Sequence, residues 1–213
     1  MKYSHVIWDW NGTIVNDAHL CVDIVNTQLI NFDLNEVTLD YYINNFRFPV
    51  RSYYKKIGLP TDSLNYNKIA TRFIEEYRIK YKFCDVHVGA VDCFNKLNIL
   101  GINQSVLSAT MESDLYSFIS FYKLNHQFTH LSGVSNTFAS GKSNISTEHL
   151  NKLNSNKSEV LLVGDTLHDA EVALKLDIDC LLFSGGHNSR ELLSESTFHI
   201  VDSFNQIYHY ILD

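Results

Sequence analysis

Apolar and polar positions along the chain fall into two textures. From Val6 the run VIWDWNGTIV is apolar until Asn-Gly breaks it, which predicts a buried strand ending in a turn. Between Asp17 and about Phe83 no strand pattern stands out. Apolar residues there recur at helical spacing, as in Leu20, Ile24 and Leu29 and again in Ile69, Phe73 and Tyr77. Pro49 and Pro60 punctuate the stretch at helix starts or preceding turns, and Tyr41, Tyr42, Tyr53 and Tyr54 lie within it. From about Gly89 the texture alternates. Helices are predicted at 90–100, 112–123, 143–154, 168–175 and 203–212, and strands at 104–108, 128–134, 159–164 and 178–183. Such alternation predicts parallel strands joined by helical crossovers, and the N-terminal strand can join the same sheet. The expected architecture is a doubly wound α/β core of residues 1–16 and 84–213, with residues 17–83 inserted as a helical module.

Composition narrows this picture without changing it. A chain of 213 residues makes one domain, or one with a sizeable insertion, and 45% hydrophobic against 19% charged residues excludes a disordered chain. Two prolines and nine glycines exclude collagen-like and linker-rich classes. Cys21, Cys84, Cys93 and Cys180 contain no CxxC pair, so they read as reduced core residues rather than disulfide or zinc ligands. The net charge is −7 and the 17 basic residues form no run, which argues against a nucleic-acid or anionic-membrane partner. The start MKYSHVIWDWNG has no long apolar stretch of a signal sequence, and the apolar runs are too short to span a bilayer, so a cytoplasmic location is expected.

The chemistry collects at the predicted strand ends. Asp9 and Asn11 follow the first strand, where open α/β sheets place ligand sites, although a simple turn would use the same residues. The segment Glu159 to Asp169 delivers Asp165 and Asp169 to the same edge. Carboxylates gathered there repel one another unless a cation sits among them, and hard oxygen donors suit Mg²⁺. Ser108 ends the strand Val106-Leu107-Ser108, and Lys142 opens a predicted helix after Ala139-Ser140-Gly141. A hydroxyl and an ammonium in these places suit a phosphoryl group, although singly they read as a cap and a surface charge.

In this order the residues resemble the haloacid dehalogenase superfamily of aspartate-nucleophile phosphotransferases, with phosphoglycolate phosphatase-like members the nearest subgroup. Asp9-Trp10-Asn11-Gly12-Thr13 is similar to its first motif DxDGT, Ser108 to the second, Lys142 to the third, and Gly164-Asp165-Thr166-Leu167-His168-Asp169 to the fourth, GDxxxD. The resemblance implies a Mg²⁺-dependent phosphatase acting on a small phosphorylated metabolite, with the inserted helices as a cap. It implies Asp9 as the nucleophile, and Asp9, the Asn11 carbonyl and Asp165 as metal ligands. Ser108, with backbone N–H groups near Ala109 and Asn11, would bind phosphoryl oxygens. Lys142 would offset their charge, and Asp169 would orient Lys142 or a water at the metal.

One position departs from the pattern. Asn11 stands where the family has an Asp that protonates the leaving group, and an amide cannot do so. A slow or leaving-group-selective phosphatase is therefore expected, with a catalytically inactive phosphometabolite-binding protein as the alternative. A phosphonatase-like hydrolase would need a Schiff-base lysine, with Lys55 or Lys56 the nearby choices, and a dehalogenase would not need the acidic fourth motif. In the cap, Arg47 and Arg51 flank Phe48-Pro49-Val50 and could grip an anionic end of the substrate. His168 and His187 are minor candidates in loops at the same edge.

Overall fold

A computed structural model describes residues 2–135 and 141–213. Six parallel strands form one sheet: β1 (His5–Trp8), β2 (Asn103–Met111), β3 (His130–Val134), β4 (Val160–Gly164), β5 (Asp179–Phe183) and β6 (His199–Val201). Their spatial order is β3-β2-β1-β4-β5-β6. The chain winds outward through β2 and β3, then returns to lay β4 on the other side of β1, so the topological switch lies between β1 and β4.

Alternate side chains on each strand go to opposite faces, and both faces are apolar. Trp8, Leu161, Val163, Leu181 and Phe183 join the layer that includes Phe94, Phe204 and Ile207, while Ile7, Val160, Leu162, Cys180 and Leu182 meet Leu150, Val172 and Ala173. Helices cover a parallel sheet on both sides because its strands have no solvated face. The crossovers are α5 (Ala90–Ile99), α6 (Glu112–Phe121), α7 (Ser143–Asn151), α8 (Leu167–Leu176) and the short α9 (Arg190–Leu193), with α10 (Phe204–Leu212) closing the chain.

Four helices occupy the stretch between β1 and α5: α1 (Ala18–Asn31), α2 (Leu39–Asn45), α3 (Val50–Lys56) and α4 (Ser63–Lys80). Their starts carry the chemistry expected of caps, since Thr38 Oγ1 accepts from Tyr41 N at 3.0 Å and Asp62 Oδ1 from Asn65 N at 3.1 Å. Aromatic rings hold them together, including Tyr42, Phe46, Tyr53, Tyr54 and Tyr66.

Three expectations need correction. β2 continues to Met111, past the predicted end at 108, with a register irregularity against β3 after Leu107. The helix predicted over 143–154 ends at Asn151. The edge strand β6 was not expected, because three residues are too few to show a period. No helix among the described residues is long and apolar enough to cross a membrane.

Beneath α7 runs a buried polar chain. His5 Nε2 lies 2.8 Å from Ser105 Oγ, which lies 2.9 Å from His149 Nε2, and His149 Nδ1 lies 2.8 Å from Ser132 Oγ. Burial lowers His5 to about 4 and His149 to about 3, so both rings are neutral in the folded protein at neutral pH. The chain fastens α7, and with it the preceding Lys142, to β1, β2 and β3.

Candidate active site

Asp9 leaves β1 at the switch point, its N–H donating to the Val163 carbonyl of β4 at 2.9 Å. Asp165 leaves β4 beside it, held by Thr13 Oγ1 at 2.7 Å and by the His187 N–H at 2.6 Å. Gly12 between them has φ +75°, and a Cβ there would stand 2.1 Å from Asp165 Oδ2. The Asn-Gly break in the sequence is therefore what lets the first loop close on the second acid. Gly164 serves the same end, since a Cβ would lie 2.0 Å from Asp169 Cγ.

Asp169 sits in the first turn of α8, where its Oδ2 accepts from Thr166 N at 2.9 Å and Thr166 Oγ1 at 2.7 Å. Its Oδ1 lies 2.5 Å from Lys142 Nζ, which also lies 2.7 Å from Asp9 Oδ1 and donates to the Leu107 carbonyl at 3.2 Å. Lys142 is only 2% exposed. The positions singled out in motifs one, three and four thus meet at one point, with Ser108 and Ala109 lining the cavity above it. Ser108 Oγ accepts from Thr110 N at 3.0 Å. Ala139 and Ser140 lie outside the described residues.

Burial raises Asp9 to about 8, the effect outweighing Lys142 and reinforced by Asp169 and Asp165. Burial likewise raises Asp165 to about 6, with His187 opposing. Asp169 stays below the usual range because Lys142 and Thr166 overcome its burial. His187 is buried too, yet Asp17, whose Oδ1 lies 3.3 Å from its Nε2, raises it to about 9. Four carboxylates, Asp9, Asp17, Asp165 and Asp169, therefore face two cations, Lys142 and His187. The donors are hard oxygens, and ligand oxygens of Asp9, Asp165 and Asp169 lie within 4.8 Å of one another. With all four acids ionised, two negative charges on oxygen donors are left unbalanced, and a divalent cation such as Mg²⁺ among them would fit that state.

Asp17, Tyr77 and Thr110 were not anticipated, and they explain the departure at Asn11. Asn11 Nδ2 donates to Asp17 Oδ2 at 2.6 Å and to Tyr77 Oη at 2.8 Å, while Thr110 Oγ1 donates to Asn11 Oδ1 at 2.6 Å. Tyr77 Oη donates to Asp17 Oδ2 at 2.6 Å, and Gly12 N to Asp17 Oδ1 at 2.8 Å. Burial opposes the charge on Asp17, but His187, Asn11 and Tyr77 hold its carboxyl below the ordinary range. The amide at 11 is the partner an ionised Asp17 requires. Asn11→Asp is accordingly expected to set two carboxylates in contact and force them to share a proton, which destabilises the protein by about 1–3 kcal/mol at pH 8. Because the shared proton raises the folded-state pKa, the deficit grows as pH rises above about 4. Adding Asp17→Asn should restore the urea midpoint, and a double variant as unstable as Asn11→Asp alone would refute the coupling.

Arg47 and Arg51 are not brought to this cavity. Arg47 Nη2 bonds Glu195 Oε1 at 2.6 Å on the surface, and Arg51 Nε bonds the Thr61 carbonyl at 2.8 Å while its guanidinium lies over the Tyr66 ring. Lys55 and Lys56 are exposed on α3 and do not line the cavity either. Of the two histidines, His187 lines it and bonds Tyr42 Oη at 3.0 Å through Nδ1. His168 Nε2 instead accepts from Lys142 N at 3.2 Å, which ties the start of α7 to α8.

The family model described as haloacid dehalogenase-like hydrolase matches residues 6–183. No curated protein matches the chain. Among solved structures, a predicted phosphatase from Clostridium acetobutylicum is 20% identical with a TM-score of 0.87, covering 100% of this chain and 99% of its own. A predicted phosphoglycolate phosphatase from Haemophilus somnus is 14% identical with a TM-score of 0.78, covering 99% of this chain and 98% of its own. A CbbY variant from Rhodobacter sphaeroides in complex with xylulose-(1,5)bisphosphate is 14% identical with a TM-score of 0.71, covering 95% of both chains. At these identities the likeness is one of fold.

Proposed function

Since the chain belongs to the haloacid dehalogenase-like hydrolase family, we propose that it is a Mg²⁺-dependent phosphatase that hydrolyses a small phosphorylated metabolite through an aspartyl-phosphate intermediate. The observation that carries this reading is the meeting of Asp9, Lys142, Asp165 and Asp169 at the switch point, with Lys142 Nζ within 2.7 Å of Asp9. Residues 17–83 act as the cap over it.

Asp9, Asp165 and the Asn11 main-chain carbonyl would hold Mg²⁺, which supplies electrostatic stabilisation of the phosphate dianion. Lys142 aligns Asp9 and favours its ionised form for attack, and Asp169 positions the ammonium. Ser108 and the Ala109 N–H orient the phosphoryl oxygens. A carboxylate oxygen of Asp9 bonds phosphorus as the bond to the ester oxygen breaks, and the electron pair departs with the leaving group. That group takes its proton from water, because the Asn11 amide carries no acidic proton. Water then attacks the aspartyl phosphate, releasing inorganic phosphate and regenerating the Asp9 carboxylate.

The same Asn11 favours a second reading, a catalytically weak or inactive protein that binds a phosphometabolite. General acid–base help contributes about 10²- to 10⁴-fold, so its loss falls hardest on alkyl esters. Phosphate release from acetyl phosphate and phenyl phosphate, measured in Mg²⁺ and in EDTA, separates the two. Turnover that needs Mg²⁺ is expected. Inertness toward both compounds, with inorganic phosphate still raising the melting temperature, would replace the enzyme by the binding protein.

A further inference from the structure

Above Asp9 lies a partly open cavity of about 210 Å³, and its walls are chemically uneven. The floor is polar, formed by Asp9, Asn11, Ser108 and Thr110. The walls are rings and aliphatic groups from the inserted helices and α6, among them Tyr53, Tyr54, Tyr66, Phe73, Ile74 and Phe118. Two cations line it among the described residues, and each has an acid of its own. His187 is matched to Asp17, and Arg78 Nε lies 3.0 Å from both carboxylate oxygens of Asp114. Arg47 and Arg51, the residues best suited to grip an anion, point to Glu195 and Thr61 instead.

A carboxylate or second phosphate on the substrate would enter this cavity without a counter-charge and lose part of its hydration. A flat apolar body would lose nothing and would gain ring contacts. Asn11 gives an independent reason in the same direction, because a leaving group that departs without a proton from the enzyme must be a stable anion, as a phenolate is. Resting on the phosphatase reading above, we infer that the substrate is a phosphate monoester of an uncharged aromatic alcohol, its ring held among Tyr53, Tyr66 and Phe73. One polar substituent is accommodated, since Tyr53 Oη is buried without a hydrogen-bond partner.

The test compares kcat/KM in Mg²⁺ for phenyl phosphate, benzyl phosphate, 2-phosphoglycolate and acetyl phosphate. Benzyl phosphate and 2-phosphoglycolate both release alkyl alcohols, so their ratio reports the cavity, and phenyl against benzyl reports leaving-group acidity. Benzyl phosphate is expected to exceed 2-phosphoglycolate by about tenfold or more, with phenyl phosphate higher still. Phe73→Arg should reverse the benzyl preference, while Phe73→Leu, which keeps the wall apolar, should retain it. If acetyl phosphate turns over but 2-phosphoglycolate equals or beats benzyl phosphate, the inference is wrong and the phosphatase reading stands. If acetyl phosphate is inert as well, that reading fails, and calorimetric binding of benzylphosphonate against phosphonoacetate decides. Preference for the benzyl compound keeps the aromatic site, and the absence of any preference removes it.

Discussion

Asp9→Asn is expected to abolish phosphate release, by about 10⁴-fold or more, and at the same time to make the metal-free protein more stable. The first half follows from losing the nucleophile. The second follows from where Asp9 sits. Burial raises its carboxyl to about 8 despite the ammonium 2.7 Å away, so the folded state disfavours the ionised form. A carboxyl raised on folding costs nothing below its unfolded pKa, near 4, and costs progressively more until pH passes the folded value. In EDTA the advantage of Asp9→Asn should therefore be below about 1 kcal/mol at pH 4.5 and grow by about 3–4 kcal/mol by pH 7.5. The variant retains Asp169 as a partner for Lys142 at 2.5 Å, so no buried cation is stranded. Comparing variant with wild type at each pH cancels the contribution of the neutral His5 and His149, which destabilise both proteins alike in acid. Urea midpoints at the two pH values measure the effect, and Mg²⁺ should then raise wild type and leave the variant little changed. A variant less stable than wild type at pH 7.5 in EDTA would mean that Lys142, not desolvation, governs Asp9.

The residues that converge on Asp9 were legible because each motif is contiguous. A strand followed by Asp-x-Asn-Gly-Thr, or by Gly-Asp and an acid four residues on, places its acids at a sheet edge whatever the rest of the chain does. The alternation after Gly89 was legible for the same reason, since every crossover helix and its strand carry their own period. What escaped was produced by meetings between distant segments. Asp17 merely opens the inserted stretch and Tyr77 reads as one more apolar position of α4, and only folding brings that hydroxyl to 2.6 Å from Asp17. His187 was visible after Gly185-Gly186, but its charge depends on Asp17 across 170 residues of sequence. Arg47 and Arg51 show the converse. Their composition suits an anion site, yet the path of a short helix start decides direction, and theirs leads to Glu195 and Thr61.

Lys142→Met reverses the sign found at Asp9. Lys142 is as deeply buried as the acids, but the charges of Asp169 and Asp9 overcome the desolvation of its ammonium and raise its pKa further above the ordinary lysine value. Stability from such a group is complete below its unfolded pKa, near 10.4, so it is undiminished throughout the neutral range. Methionine matches the length of the stem and removes the charge, leaving Asp169, wholly buried, with only the Thr166 donors. Breaking a buried pair in this way costs about 3–5 kcal/mol, and catalysis should fall by about 10²- to 10³-fold with the loss of a donor facing the phosphoryl group. Asp169, held low by Lys142 in the wild type, then has reason to take up a proton, so the stability deficit should widen between pH 5 and 8. Asp9→Asn, added to Lys142→Met, should recover part of it, because the double variant strands one carboxylate rather than two. The two changes share a partner and therefore cannot be additive. Strict additivity in a double-mutant cycle of urea midpoints would show that Lys142 and Asp9 are neighbours without being coupled, and the charge balance assigned to the site would fail with it.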